Sequence, residues 1–204
     1  MTSRPLSVDP ALLSRRLFTR EEFERAGELG LFRPDERLEL IGGEVVRKMS
    51  PQKSPHATAI RRAEEAMRRT FPEGHDVRVQ LPLALRHDSA PEPDVSVVAG
   101  RLDEYEDEHP RIAVLVVEVA DTTLAYDRGV KASLYASVGI PDYWILNLRD
   151  RVLEVLRDPE PEVMAPFGYR YRTSLRFAEG DAVTPLQAPG HAIAVADLLP
   201  RAAA

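Results

Sequence analysis

The sequence predicts an α/β fold, and three observations carry that expectation. Segments of helical periodicity alternate with short strand-like runs along the chain. Ile112 to Val117 is an unbroken apolar run, the pattern of a central strand covered on both faces. Two pairs of strand-like runs are joined by tight connections, Gly42-Gly43 in one case and Leu148-Arg149-Asp150-Arg151 in the other.

The first helix is expected from Thr19, because Thr19-Arg20-Glu21-Glu22 has the spacing by which a cap hydroxyl and a later carboxylate satisfy free backbone N–H groups. It should end near Gly30. Arg37 to Ile41 and Glu44 to Arg47 then form a β-hairpin, since Gly42 and Gly43 tolerate the positive φ of its turn. Ser54-Pro55 opens a second helix, with Ala57, Ile60, Ala63, Ala66 and Met67 at helical spacing as far as Phe71-Pro72. Val77 to Leu85, Asp94 to Val98 and Ile112 to Val117 read as strands. A third helix is expected from about Tyr126 to Val138, stopped by Gly139 and Pro141. Tyr143 to Asn147 and Val152 to Leu156 make the second hairpin, Asp158 to Pro166 a Pro-rich loop, and Tyr169 to Leu199 one or two further strands.

A chain of 204 residues suits one domain, here expected over residues 15–200 behind an N-terminal extension of residues 1–14. With 44% hydrophobic and 29% charged residues, disorder and collagen-like repeats are excluded. The longest apolar run is far short of the roughly 20 residues that cross a bilayer, so the expectation is no membrane and a cytoplasmic location. There is no cysteine, so a metal would be held by oxygen or by the five histidines. A formal charge of −6 argues against a surface that grips nucleic acid everywhere, and leaves room for a local basic patch. Of 27 basic residues, 24 are arginines and only Lys48, Lys53 and Lys131 are lysines, so each lysine carries extra information.

Glu118 follows the apolar run directly, where a carboxylate is costly to desolvate without a compensating cation or donors. The plainer alternative is that the strand has reached the surface there. Asp94 opens its own strand. If the strands at 94–98 and 112–118 pair antiparallel, positions 94 and 118 face each other, both being equally far from position 106. Two such carboxylates repel unless a cation sits between them, and an all-oxygen site suits Mg²⁺ or Mn²⁺.

Lys131 shares a helix face with Leu134, Tyr135 and Val138 and should point to the packed side, unless it snorkels to solvent or pairs with Asp127. Glu39 lies out of phase with Leu38 and Leu40, and strand alternation alone makes it a solvated side chain. His56 and Gln80 are polar groups within possible reach of a site, though either could serve structure alone. Asp103 to Glu108 reads as a solvated acidic run. Arg61, Arg62, Arg68 and Arg69 on the second helix could contact phosphates or simply form a charged exterior.

In order, Arg37-Leu-Glu39-Leu-Ile-Gly-Gly-Glu44, Met49-Ser50-Pro51, His56, Pro93-Asp94-Val95, Val117-Glu118-Val119, Asp127-Arg-Gly-Val-Lys131, Tyr135 and Gly139-Ile-Pro-Asp-Tyr-Trp144 resemble the Uma-two family of putative restriction endonucleases, in the PD-(D/E)XK nuclease superfamily. The resemblance covers roughly residues 15 to 158. It implies a restriction-endonuclease-like core, a mixed central β-sheet flanked by α-helices, with extra β-hairpins. It makes Pro93-Asp94 the "PD" element, Glu118 the acidic member of "(D/E)XK", and Lys131 a lysine moved to the following helix, Ala120 standing where the lysine is expected. Ala120-Asp121-Thr122-Thr123 replaces the Ser-Pro-Ser-Thr common in the family, and Glu39 matches its early acidic position.

The implied activity is Mg²⁺-dependent endodeoxyribonuclease, a phosphodiester hydrolase on DNA. Asp94, Glu118 and the carbonyl of Val119 would hold Mg²⁺ or Mn²⁺, Glu39 would add an outer or second-metal ligand, and Lys131 would orient the attacking hydroxide. Because the net charge is acidic, the phosphate grip would come from a local arginine surface or from the groove of a homo-oligomer, dimer or higher. The alternatives are a catalytically silent nuclease-like module that binds DNA or protein, and a hydrolase of small phosphoesters.

Overall fold

The computed structural model describes residues 15–48, 54–71 and 73–202. The expected N-terminal extension, Lys53 and the Met49-Ser50-Pro51 motif lie outside the described residues. Helix α1 (Arg20–Glu28) carries the expected capping box: the Thr19 hydroxyl accepts from the Glu22 N–H at 3.2 Å, and the Glu22 carboxylate accepts from the Thr19 N–H at 3.0 Å. Strands β1 (Leu38–Ile41) and β2 (Glu44–Arg47) form the hairpin, with Gly42 and Gly43 at φ +58° and +79°. Both positions need a positive φ, which is why two glycines stand there. Helix α2 (Ser54–Thr70) buries Ala59, Ile60, Ala63, Ala66 and Met67 as one stripe.

The central sheet has six strands in the order β3 (His75–Val79), β4 (Val95–Ala99), β5 (Leu115–Ala120), β6 (Asp142–Asn147), β7 (Val152–Pro161) and β8 (Tyr169–Ala178). Only β5 and β6 are parallel, so the sheet is mixed. The crossover between them is helical: α3 (Leu124–Tyr126), a π-helical turn (Asp127–Lys131) and α4 (Ala132–Ser137) run on from one another. A short tail adds β9 (Ala182–Val183), β10 (Ile193–Ala194) and α5 (Val195–Leu198).

Strand alternation sorts the core into two layers. On one face Val95, Val97, Leu115, Val117, Trp144 and Leu146 pack with α2 and the tail. On the other, Val98, Val116, Ala120, Tyr143 and Ile145 pack with Ala132, Tyr135 and Ala136 of α4. Glu118 belongs to this second face by parity with Val116 and Ala120.

Several boundaries differ from expectation. The Val77–Leu85 strand stops at Val79, because Gln80 takes φ +51° and ends the pairing. Residues 81–90 run on as irregular chain that meets β1 at Leu40 and Ala90. The apolar run enters the sheet only at Leu115, Ile112 being 54% exposed, so the strand extends past Val117 and Glu118 lies inside it. Strand β7 continues through Pro161 into the stretch expected as loop.

Candidate active site

Each side chain of the site is delivered by a different element. Asp94 immediately precedes β4, and β4 pairs with β5 at Val95↔Val117, Ser96↔Val116 and Val97↔Leu115. That register, continued by one residue, sets Asp94 opposite Glu118 on the same face of the sheet. Asp94, Glu118, Glu39 and Lys131 are between 2% and 5% exposed, so each must find partners within the protein.

Lys131 supplies the cation. Its Nζ donates to Glu118 Oε1 at 2.8 Å and stands 3.2 Å from Glu39 Oε2. The alternative pairing with Asp127 is not made, as the Asp127 carboxylate instead accepts from Thr123 Oγ1 at 2.6 Å. Glu39, expected in solvent from strand alternation alone, is buried and also accepts from the Glu92 N–H at 3.1 Å. A neighbouring donor ties that segment down, since Lys48 Nζ donates to the Glu92 carbonyl at 2.6 Å.

Asp94 is held from two sides. The Val119 N–H donates to Oδ2 at 2.9 Å and the Gln80 amide to Oδ1 at 3.2 Å. His56 Nε2 stands 3.8 Å from Oδ2, brought there by the first turn of α2. Val119 thus meets the site through its N–H. Tyr135, four residues after Lys131, donates its hydroxyl to Glu118 Oε1 at 2.8 Å. Both hydrogen bonds to Glu118 fall on Oε1, so among the described residues Oε2 keeps its lone pairs.

The electrostatics follow from burial against charge. Desolvation pushes the Glu118 carboxyl up, but Lys131, with Lys48 and the Lys131 and Tyr135 hydrogen bonds, overrides it and leaves the carboxyl below its usual range. Desolvation likewise opposes the Lys131 ammonium, and Glu118, Glu39 and Asp127 hold it well above the ordinary lysine value. Lys131 is therefore a fixed cation at neutral pH and cannot serve as a base there. Asp127 is the exception: burial, then repulsion from Glu118, push its carboxyl up to about 7.

Sequence reasoning places Gln80 within possible reach of a site and Tyr135 on the face of Lys131, gives neither a contact, and leaves Tyr126 without a role. Tyr135 had a usable signal, the i, i+4 spacing from Lys131. Tyr126 has none in sequence: its hydroxyl is buried without a hydrogen-bond partner among the described residues, and burial followed by Glu39 raises its pKa. The position of Gln80 depends on a left-handed residue that no local pattern announces.

Among the described residues no three His, Asp or Glu side chains form a ready-made metal cage. The donor set is nevertheless that of a hard cation. Mg²⁺ is commonly held by one or two carboxylates, with water and substrate phosphate completing its sphere. Asp94 and Glu118 fit that use, and Lys131 stands as the cation offsetting Glu118 and Glu39. No described helix is long and apolar enough to cross a membrane.

No curated protein matches this sequence. Among solved structures it is similar to a crystal structure described as a putative nuclease belonging to DUF820 from Anabaena variabilis ATCC 29413, with a TM-score of 0.63 and 17% identity, over 89% of this chain and 97% of that one. At that identity the likeness concerns the fold, which is the restriction-endonuclease-like core expected from the sequence. A family model, Uma2, described as "Putative restriction endonuclease", matches residues 20–196. That span holds the hairpin with Glu39, the β4–β5 register joining Asp94 to Glu118 and the helical crossover with Lys131, and the chain belongs to the Uma2 family.

Proposed function

We propose that this protein is a metal-dependent endonuclease that hydrolyses DNA phosphodiester bonds at the Glu39, Asp94, Glu118 and Lys131 cluster. The observation that carries the reading is a fully buried lysine shared by two carboxylates, with a third carboxylate opposite one of them across the β4–β5 pair. Asp94 and Glu118 would hold Mg²⁺ or Mn²⁺, with the Val119 carbonyl and Glu39 as further oxygen ligands. When bound, such an ion activates water and screens the scissile phosphate.

The chain's own residues do the rest. Val119 N–H and Gln80 fix the Asp94 carboxylate, and Tyr135 fixes that of Glu118, so both are oriented before substrate arrives. Lys131, charged at all working pH values, offers donors to the attacking water and to the negative charge that grows on the phosphate. The exterior of α2 supplies guanidinium groups for the flanking phosphates. Arg69 pairs there with Glu65, an exposed contact that contributes at most about 1 kcal/mol and can yield to a phosphate, whereas Arg68 is also held by the Val77 carbonyl at 3.0 Å.

The test is cleavage of supercoiled plasmid by the full chain with Mg²⁺ or Mn²⁺, with EDTA and the variant Glu118→Gln as controls. Cleavage that needs the ion and is lost in Glu118→Gln is the expected result. A folded parent that binds DNA and cleaves with neither ion would instead assign the fold to a silent binding module.

A further inference from the structure

A cleft of about 700 Å³ opens between the β1–β2 hairpin and the loop joining β7 to β8. It adjoins the carboxylate cluster through shared elements. The pairs Glu39↔Val46 and Ile41↔Glu44 put Ile41, Glu44 and Val46 on the hairpin face that carries Glu39, and all three line the cleft. Val130, the neighbour of Lys131, lines it as well. So does Tyr126, whose buried hydroxyl lies in the field of Glu39, Lys131 and Glu118.

The lining has the chemistry of a platform for a flat ring. The Phe167 ring lies against Gly42, where a Cβ would come within 3.3 Å of it, and the Arg86 guanidinium sits 5.7 Å from its centroid. Arg86 is fixed by Asp88 at 3.0 Å. The loop is fixed too, by the Phe167 N–H donating to Ser133 Oγ at 3.0 Å and the Glu162 N–H to the Gly168 carbonyl at 2.8 Å. Glu44 and Asp88 are each paired through one oxygen, Glu44 Oε1 with Arg15 at 2.5 Å and Asp88 Oδ1 with Arg86 at 3.0 Å, so among the described residues the second oxygen of each carboxylate is left as an acceptor, which suits amino donors better than a phosphate. At the loop tip Val163 and Met164 are 92% and 90% exposed, apolar side chains left uncovered by the described residues.

We propose that this cleft receives one unstacked nucleobase of the substrate, favouring bases with an exocyclic amine, while the Val163-Met164 tip fills the gap left in the base stack. Aromatic platforms and apolar wedges are the two devices by which proteins hold unstacked bases. This rests on the nucleic-acid reading of the neighbouring cluster, and the experiment separates the two.

Fluorescence anisotropy measures binding of labelled oligo-dC and oligo-dT to the full chain, in Ca²⁺ and in EDTA. Oligo-dC is expected to bind about tenfold tighter than oligo-dT. Phe167→Leu, which keeps apolar bulk and removes the π-face, is expected to weaken oligo-dC binding about tenfold, and Phe167→Tyr to retain it. Asp88→Asn should narrow the difference between the two oligonucleotides. Equal affinities for oligo-dC and oligo-dT, together with parental binding by Phe167→Leu, would overturn the cleft proposal and leave the nuclease reading standing. Failure of the parent to bind either oligonucleotide would overturn the cleft proposal and count against the nucleic-acid reading as well. Base preference and Phe167 dependence without any plasmid cleavage would support the cleft and remove the catalysis.

Discussion

Two buried carboxylates, Asp142 on one face of the sheet and Glu118 on the other, are treated in opposite ways. Asp142 accepts four hydrogen bonds: Arg157 Nε and Trp144 Nε1 at 2.8 Å each on Oδ1, Arg157 Nη2 at 3.2 Å and the Leu186 N–H at 2.9 Å on Oδ2. Its guanidinium partner sits directly across the β6–β7 pair and also reaches the Thr184 carbonyl. Glu118 accepts two hydrogen bonds, both on one oxygen, from a lysine and a tyrosine. A planar guanidinium saturates a carboxylate, while a point ammonium leaves acceptor capacity over. The chain uses arginine where a buried charge serves structure, and at Glu118 it uses one of its three lysines.

The largest effect expected from this contrast is on stability. Arg157→Met strands Asp142 in the core, and loss of one partner from a buried pair costs about 3–5 kcal/mol. Glu118→Gln should cost less, because Lys131 keeps Glu39. Urea denaturation of both variants gives the order, and a larger loss in Glu118→Gln would break the comparison.

A pH dependence comes next. Asp127 has a folded-state pKa of about 7 against 3.8 for an ordinary aspartate, so the folded state binds the proton more tightly. Its contribution is fully present below the ordinary value and is lost as pH rises through about 7, a change on the order of a few kcal/mol. Melting curves in EDTA should therefore show the parent losing stability between pH 5 and 8 relative to Asp127→Asn. Parallel curves would place the ionisation elsewhere.

Tyr135→Phe gives the smallest change. It removes one hydrogen bond to a charged group, about 1.5–3 kcal/mol, and keeps the ring contact with Tyr143 at 5.0 Å. Combined with Arg157→Met the losses should add, since the two networks share no partner and lie on opposite faces of the sheet. Strong non-additivity would show that the regions are coupled.

The parts of this arrangement legible in the sequence are those fixed by local chemistry or simple symmetry. The glycine pair announced the hairpin, Thr19 and Glu22 the cap, and equal distance from position 106 the pairing that sets Asp94 against Glu118. Glu39 was legible only through family resemblance, because strand alternation gives a face and cannot say that Lys131 waits on it. The π-turn and the left-handed Gln80 have no local signature, being selected by packing and by the site itself. The Pro-rich continuation of β7 was missed because prolines mark loops in general but are tolerated near strand ends.

The proposed role of Lys131, orienting the nucleophile of a metal-dependent nuclease, is tested most directly by Lys131→Arg. The substitution keeps the charge, but a larger planar group cannot stand at the same point between Glu118 and Glu39. Mg²⁺-dependent DNA cleavage is measured for parent and variant, with melting curves to show that both are folded. A rate loss on the order of 10²–10³ is expected in the folded variant, the usual cost of one preorganised interaction. Parental cleavage by Lys131→Arg would contradict it.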